Sequence, residues 1–282
     1  MHFEAHTIKG MLNNFVEYIM FMSGSGTGIA FQRVQQTIII NMGSHFRTSD
    51  IYVPVIKANE HTDTVWINGK QEIPFMLEHD GIMSMYVIGL KPGMLPWLAD
   101  LPAIETNDLA VGAENWGTRE IYTLREQLLG CPDIRAGLVL IEQYLEKLLQ
   151  KKDFTHLDKI KWLGNAINTH TVDEICRSLG VTRKKLRSEA QYYFGDSLKN
   201  IQGIARFNNT LHGIAHHAHQ SLSSVHTYYD QSHFINDFKA RCGITPLQYK
   251  KLCRQYPEIK YTPNFIPLQR ETFLQFISGQ PV

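Results

Sequence analysis

Cysteine is scarce in this chain, and the four present (Cys131, Cys176, Cys242 and Cys253) are widely scattered with no CxxC among them. A thiol-based zinc site or exchange motif is therefore not expected; the thiols read as reduced and structural, in a cytoplasmic protein. No apolar run approaches the 18 residues of a membrane span, and the opening MHFEAHTIKG lacks a secretory signal pattern, so no membrane partner is expected. GxSxG is missing, and no carboxylate pair stands out as a general acid and base. GSGTG at 24–28 precedes a strand-like run with no following Gly-Lys-Ser/Thr, which argues against a phosphate cradle. HGIAHHAHQ (212–220) spaces His212 and His216 as i,i+4 but contains no HExxH. The expectation is of no catalytic residue, no metal and no cofactor.

What the chain does have is apolar mass and an uneven charge. Hydrophobic residues make up 43% of 282, enough for one large domain or two ordinary ones and too many for global disorder. Residues 1–150 carry 10 Lys and Arg against 17 Asp and Glu, whereas residues 151–254 carry 16 against 8. A basic module joined to an acidic one suits a polyanion on one side only, or docking of the two modules on each other.

The patterning changes at about residue 110. Before it, FQRVQQTIIINMG (31–43), IYVPVIKA (51–58), TVWING (64–69) and SMYVIGLKP (84–92) carry β-branched and aromatic residues between Gly, Asn, Asp and Pro. They predict an antiparallel sandwich or open barrel. Trp66, Trp97, Tyr86 and the Pro92-Gly93 turn could line an apolar pocket there, or simply be core. After it, 118–130 and 134–152 read as helices, the second with Leu138, Ile141, Leu145 and Leu148 or Leu149 on one side. Such helices connect domains or pair two copies of a chain.

The basic half repeats its own punctuation. Thr182 to Gly195 and Asp230 to Gly243 enclose similar segments, and after each glycine comes a further cap, Ser197 or Thr245, the latter followed by Pro246. Each segment follows a shorter helix candidate, 171–180 or 222–227, and 197–209 reads as a helix linking the two. Short helix, tight turn and exposed helix make a helix-turn-helix unit, and a duplex admits one such helix per major-groove turn. In the first unit Thr182 caps, and Arg183, Lys184, Lys185 and Arg187 suit phosphates, with one or two reaching guanine edges. In the second, Gln231 can pair with adenine. Ser232, His233 and Asn236 are shorter-range or orienting candidates, with His233 better suited to packing against Phe234 or meeting phosphate than to reading a base, and Lys239 and Arg241 suit phosphate. Each of these is also an ordinary solvated surface group when no DNA is present.

The segment YYDQSHFINDFKARCGITPLQYKKL (228–252) resembles the C-terminal signature of the AraC/XylS family of transcription regulators. Tyr228 to Phe234, then Phe238-Lys239, Gly243, Thr245-Pro246 and Tyr249 carry the likeness, which extends more loosely over 155–252 through Leu179-Gly180, Thr182, Lys184, Leu186, Gly195, Lys199 and Arg206-Phe207. The chain departs from the pattern at Thr227, Ser223, Ala190, Ser188 and Leu198. The stretches 89–108 and 114–117 also resemble an uncharacterised sensor-type domain fused to such modules. The resemblance implies two recognition helices in adjacent major grooves, with Gln231, Ser232, His233 and Asn236 reading bases. It further implies a cupin-like sensing barrel, promoter activation, RNA polymerase contact, and a small-molecule effector or a homodimer.

The expected fold is therefore α+β and multidomain: a β-rich sensor over 1–110, a helical connector over 111–154, an all-α double helix-turn-helix module over 155–252, and a tail over 253–282. The expected function is sequence-specific binding of double-stranded DNA in transcription regulation. The alternative is a small-ligand-binding or enzymatic β-domain whose helical module is a protein-interaction scaffold.

Overall fold

The computed structural model describes residues 2–24, 27–51, 59–61, 64–72, 74–79, 81–108, 110–116, 119–219 and 231–278. Its architecture is mixed α+β, with sheets in the N-terminal part and helices after them. One antiparallel sheet has the order β1 (His2–His6), β2 (Val16–Gly24), β9 (Met83–Leu90), β4 (Thr37–Asn41), β7 (Val65–Asn68), β10 (Ala110–Gly112). The other runs β11 (Phe265–Ile266), β3 (Gly28–Ala30), β8 (Phe75–His79), β5 (Phe46–Asp50), β6 (Asn59–His61). Of the four strand segments read from sequence, 64–69 and 84–92 form β7 and β9. The segment 31–43 is extended and paired as a strand only over β4, and 52–58 lies outside the described residues.

Alternation along the first sheet makes both its faces apolar. Ile38 stands between Ile67 and Ile88, and these three turn toward the helices; the next row, Ile39 between Trp66 and Val87, turns toward the second sheet. A two-residue side-chain period separates the rows completely, so each face needs its own cover. The helix-side cover begins with α1 (Leu95–Ala99), α2 (Glu120–Leu129) and α3 (Ile134–Leu149), where Leu138, Ile141, Leu145 and Leu149 are buried as the periodicity requires. The Asp133 carboxylate caps α3 by accepting from the Ala136 N–H at 2.8 Å.

Among the described residues, the helices after α3 share their buried clusters with the sheets. The core under the first sheet continues into α4 (Leu157–Ala166), α5 (Val172–Leu179), α6 (Arg183–Phe194) and the start of α7 (Leu198–His216). A second core joins the rest of α7 with α8 (Gln231–Cys242), α9 (Pro246–Gln255), α10 (Arg270–Ser278) and the β residues Ile29, Phe31, Ile51 and Met76. Helix α7 passes from one core to the other. It is longer than the 197–209 expected because Leu211, Ile214 and Ala215 continue its buried stripe past Gly213.

The tail has a structural role that the sequence did not disclose. It returns to the sheets, where β11 pairs antiparallel with β3, and Phe273 and Phe276 of α10 enter the second core. Gly28 permits this approach: a Cβ there would fall within the Phe265 ring and against the Ile266 carbonyl. No helix among the described residues is long and apolar enough to cross a membrane. Gly28→Val should lower stability by about 1–3 kcal/mol through overpacking and expose 263–278 to proteolysis. Chemical denaturation and limited digestion check this, and unchanged behaviour would mean β11 is not held there.

Candidate nucleic-acid interface

The first helix pair is built by local chemistry. Thr171 and Glu174 form a reciprocal cap on α5, and the two hydrogen bonds from Thr171 hold the Glu174 carboxyl below its ordinary pKa. Gly180 (φ 62°) ends α5 in the left-handed region, and Thr182 accepts from the Lys185 N–H at 3.2 Å to start α6. Leu186, Ala190 and Phe194 form the buried stripe of α6, leaving Thr182, Arg183, Lys184, Lys185 and Arg187 exposed. Arg183 grips Asp173 with two hydrogen bonds of 2.7 and 2.8 Å, and Lys185 lies 3.8 Å from Glu189. Lys184 and Arg187 make no ion pair among the described residues.

The second pair has the same punctuation. In α8, Phe234, Phe238 and Cys242 are buried while Ser232, His233, Asn236 and Lys239 are exposed. Gly243 (φ 78°) follows, then Thr245 and Gln248 cap α9 reciprocally, with Pro246 in its first turn. Burial pushes the Cys242 thiol up to about 12 and the Cys253 thiol up to about 11, consistent with inert core thiols. The side chain of Gln231, the expected Asp230 cap and the expected 222–227 helix lie outside the described residues. Arg241 is less open than the other basic candidates: it is 19% exposed, with its guanidinium on Asp237 (3.2 Å) and on the Gln32 amide oxygen (3.0 Å).

Both helices are anchored through one short β-bridge. Arg33 and Gln71 exchange backbone hydrogen bonds of 3.0 and 2.9 Å. On one side of this bridge, Gln32 receives Arg241 of α8 and donates to the Glu72 carbonyl. On the other, Lys70, 1% exposed, pairs with Glu72 and with Asp196 (2.8 Å) at the α6–α7 junction. Asn200 of α7 donates to both carboxylates, and Asn107 donates to the Gly195 carbonyl at 2.6 Å. Burial acts to raise the Asp196 pKa, but hydrogen bonds from Lys70, Asn200 and the Ser197 N–H outweigh it and hold the carboxyl well below its usual range.

Between the two sheets lies a cavity of about 930 Å³, bordered by Trp66, Phe46, Met85, Leu77 and, from the tail, Asn264 and Phe265. Of the aromatic residues weighed as pocket liners, Trp66 is at this cavity. Tyr86 and Trp97 are on the helix side, Trp97 donating to the Asp153 carbonyl at 2.8 Å, and Gly93 packs against Ile160 and Phe194. Lys70, Gln32 and Arg33 escaped the sequence reading because nothing local marks them; their partners lie up to 209 residues away.

No family model matches the chain, and no curated protein matches it. Among solved structures it is similar to ToxT from Vibrio cholerae at 13% identity and TM-score 0.44, covering 88% of this chain and 98% of that one. A structure of ToxT with bound unsaturated fatty acid aligns at 14% identity and TM-score 0.42, over 82% and 94%. Likeness of that degree supports no assignment of function.

Asp196→Asn should cost about 1–3 kcal/mol at neutral pH, since a buried lysine loses a charged partner. Because the folded pKa is depressed, the contribution is complete above the unfolded value of about 4. It fades as pH falls through the folded pKa, so the two proteins should converge in acid. Denaturation midpoints across pH 2–7 check this; a gap independent of pH would remove the charge from the explanation.

Proposed function

We propose that the chain is a sequence-specific DNA-binding regulator of transcription, reading a duplex with α6 and α8. The observation that carries the proposal is the repeated arrangement of buried stripe, exposed polar N-terminal half and left-handed glycine stop in these two helices. In α6 the exposed basic groups sit over the first turns, where unpaired backbone N–H groups add partial positive charge. Lys184 and Arg187 are best placed to meet phosphate or guanine; Thr182, Arg183 and Lys185 shape the helix start and its field. In α8, Asn236 and His233 are the base-edge candidates beside Gln231 and Ser232, and Lys239 is a phosphate candidate. The chain acts as a non-enzymatic binder whose β-region sets how the reading helices are held. Activation, with RNA polymerase as a further partner, follows from the sequence resemblance alone.

Selection of duplex fragments by the purified protein at about physiological salt should return one motif with two elements about 10 base pairs apart. Replacing Lys184 and Arg187 by Ala should flatten the salt dependence, by about 0.9 in log–log slope for each phosphate no longer neutralised. Asn236→Ala should instead relax preference at one position, at about 1–3 kcal/mol. Binding without sequence preference, or insensitive to all three substitutions, would return the helices to a protein-scaffold role.

A further inference from the structure

A small cavity of about 110 Å³ opens where α1, the turn before α4 and the last turns of α6 meet. Its walls include Trp97 of α1, Tyr192 and Tyr193 of α6, and Asp153, Thr155 and His156 between them. Trp97 and Tyr193 stack, with centroids 5.4 Å apart and planes inclined by 27°. Tyr192 stands nearly upright on Tyr193, at 4.9 Å and 75°, so the two tyrosines form a corner of aromatic surface. Trp97 is buried and spends its indole N–H on the Asp153 carbonyl. Tyr192, by contrast, is 45% exposed, and neither tyrosine hydroxyl makes a hydrogen bond among the described residues.

Asp153 adds a fixed negative charge. Its Oδ1 accepts from the Thr155 hydroxyl at 2.6 Å and from the Thr155 N–H at 2.9 Å. These bonds hold the carboxyl below its ordinary pKa, so it is ionised at neutral pH. It makes no ion pair among the described residues: Lys152 is on Asp100 at 2.6 Å, and Lys159 is on Glu189 at 2.7 Å. Nor does a lysine or arginine lie over either tyrosine ring there, the cation–π contacts being at Phe276 and Tyr261. Aromatic faces carry the negative part of their quadrupole, and a carboxylate beside them has the same sign, so the corner favours a cation and disfavours an anion. An ammonium like that of lysine holds its water strongly. A methylated nitrogen sheds water more easily and meets the rings with its methyl groups. The volume is well below the roughly 300–1,000 Å³ of sites that enclose a whole drug-sized ligand. At about 30 Å³ per water-sized group it holds about four such groups, the size of a headgroup.

We infer that this cavity binds the quaternary ammonium headgroup of a small organic cation, its methyl groups against Tyr192 and Tyr193 and its charge facing Asp153. The inference is independent of the DNA-reading proposal, because none of these groups belongs to the exposed N-terminal half of α6.

The test is an NMR titration of the full chain, observed at the ligand methyl groups, with choline and with 3,3-dimethylbutan-1-ol, its uncharged isostere. Choline should saturate one site in the millimolar range, about five- to thirtyfold more tightly than the alcohol, as cation–π attraction and a facing carboxylate imply. Tyr192→Leu should weaken choline about three- to tenfold, whereas Tyr192→Phe, which keeps the ring, should bind it like the parent. Asp153→Asn should weaken choline and leave the alcohol unchanged. Tyr192 and Asp153 are both exposed, so thermal melts of these variants should match the parent and separate lost binding from lost folding. The inference is overturned if choline and the alcohol bind equally, if Tyr192→Leu or Asp153→Asn binds choline like the parent, if Tyr192→Phe loses as much as Tyr192→Leu, or if choline shows no saturation below about 50 mM.

Discussion

The two-residue bridge between Arg33 and Gln71 is the constraint on which the arrangement of the molecule turns. Its backbone bonds fix two segments that are irregular on either side. From them project Gln32 toward α8, Lys70 toward the α6–α7 junction, and Arg33 and Gln71 toward the cavity. Lys70 gives the bridge its rigidity. An ammonium at 1% exposure is tolerated only while its acceptors stay assembled, so Glu72, Asp196 and Asn200 are held as a set. The benefit of such a cluster is a defined geometry more than net stability, since apolar replacements of buried ion pairs are often as stable.

The double apolar face of the first sheet explains why the helices dock as they do. Rows set by Ile38 and by Ile39 cannot share one cover, so the helix side recruits α1 to α6 and the other side is left to a smaller sheet. That smaller sheet fills its side incompletely, and the remaining space is the cavity. The tail completes it: β11 extends the second sheet and Tyr249 of α9 donates to the Pro263 carbonyl at 2.6 Å. The wall of the cavity and the second helix pair are therefore joined by a few residues of continuous chain.

What could be read from sequence was what local chemistry determines. Caps at Thr182, Ser197 and Thr245, and stops at Gly195 and Gly243, follow from orphan backbone groups and positive φ, and each stands where its residue type suggested. The sheet-facing stripe of α3 was legible for the same reason. Parity across strands was not: Trp66 and Tyr86 are both strand aromatics, and only the pairing register sends one to the cavity and the other to the helices. A strand as short as β11 carries no period to recognise. Nothing local to Arg241 signals its contact with Gln32, which lies 209 residues away in sequence.

The anchoring has a direction. Helix α6 is held at its C-terminal end, where Asn107 meets the Gly195 carbonyl and Asp196 meets Lys70; α8 is held near its own C-terminal end through the Arg241–Gln32 hydrogen bond and the burial of Cys242 in the second core. The N-terminal halves of both therefore carry the exposed polar groups, and those are the ends whose backbone dipoles favour an anion.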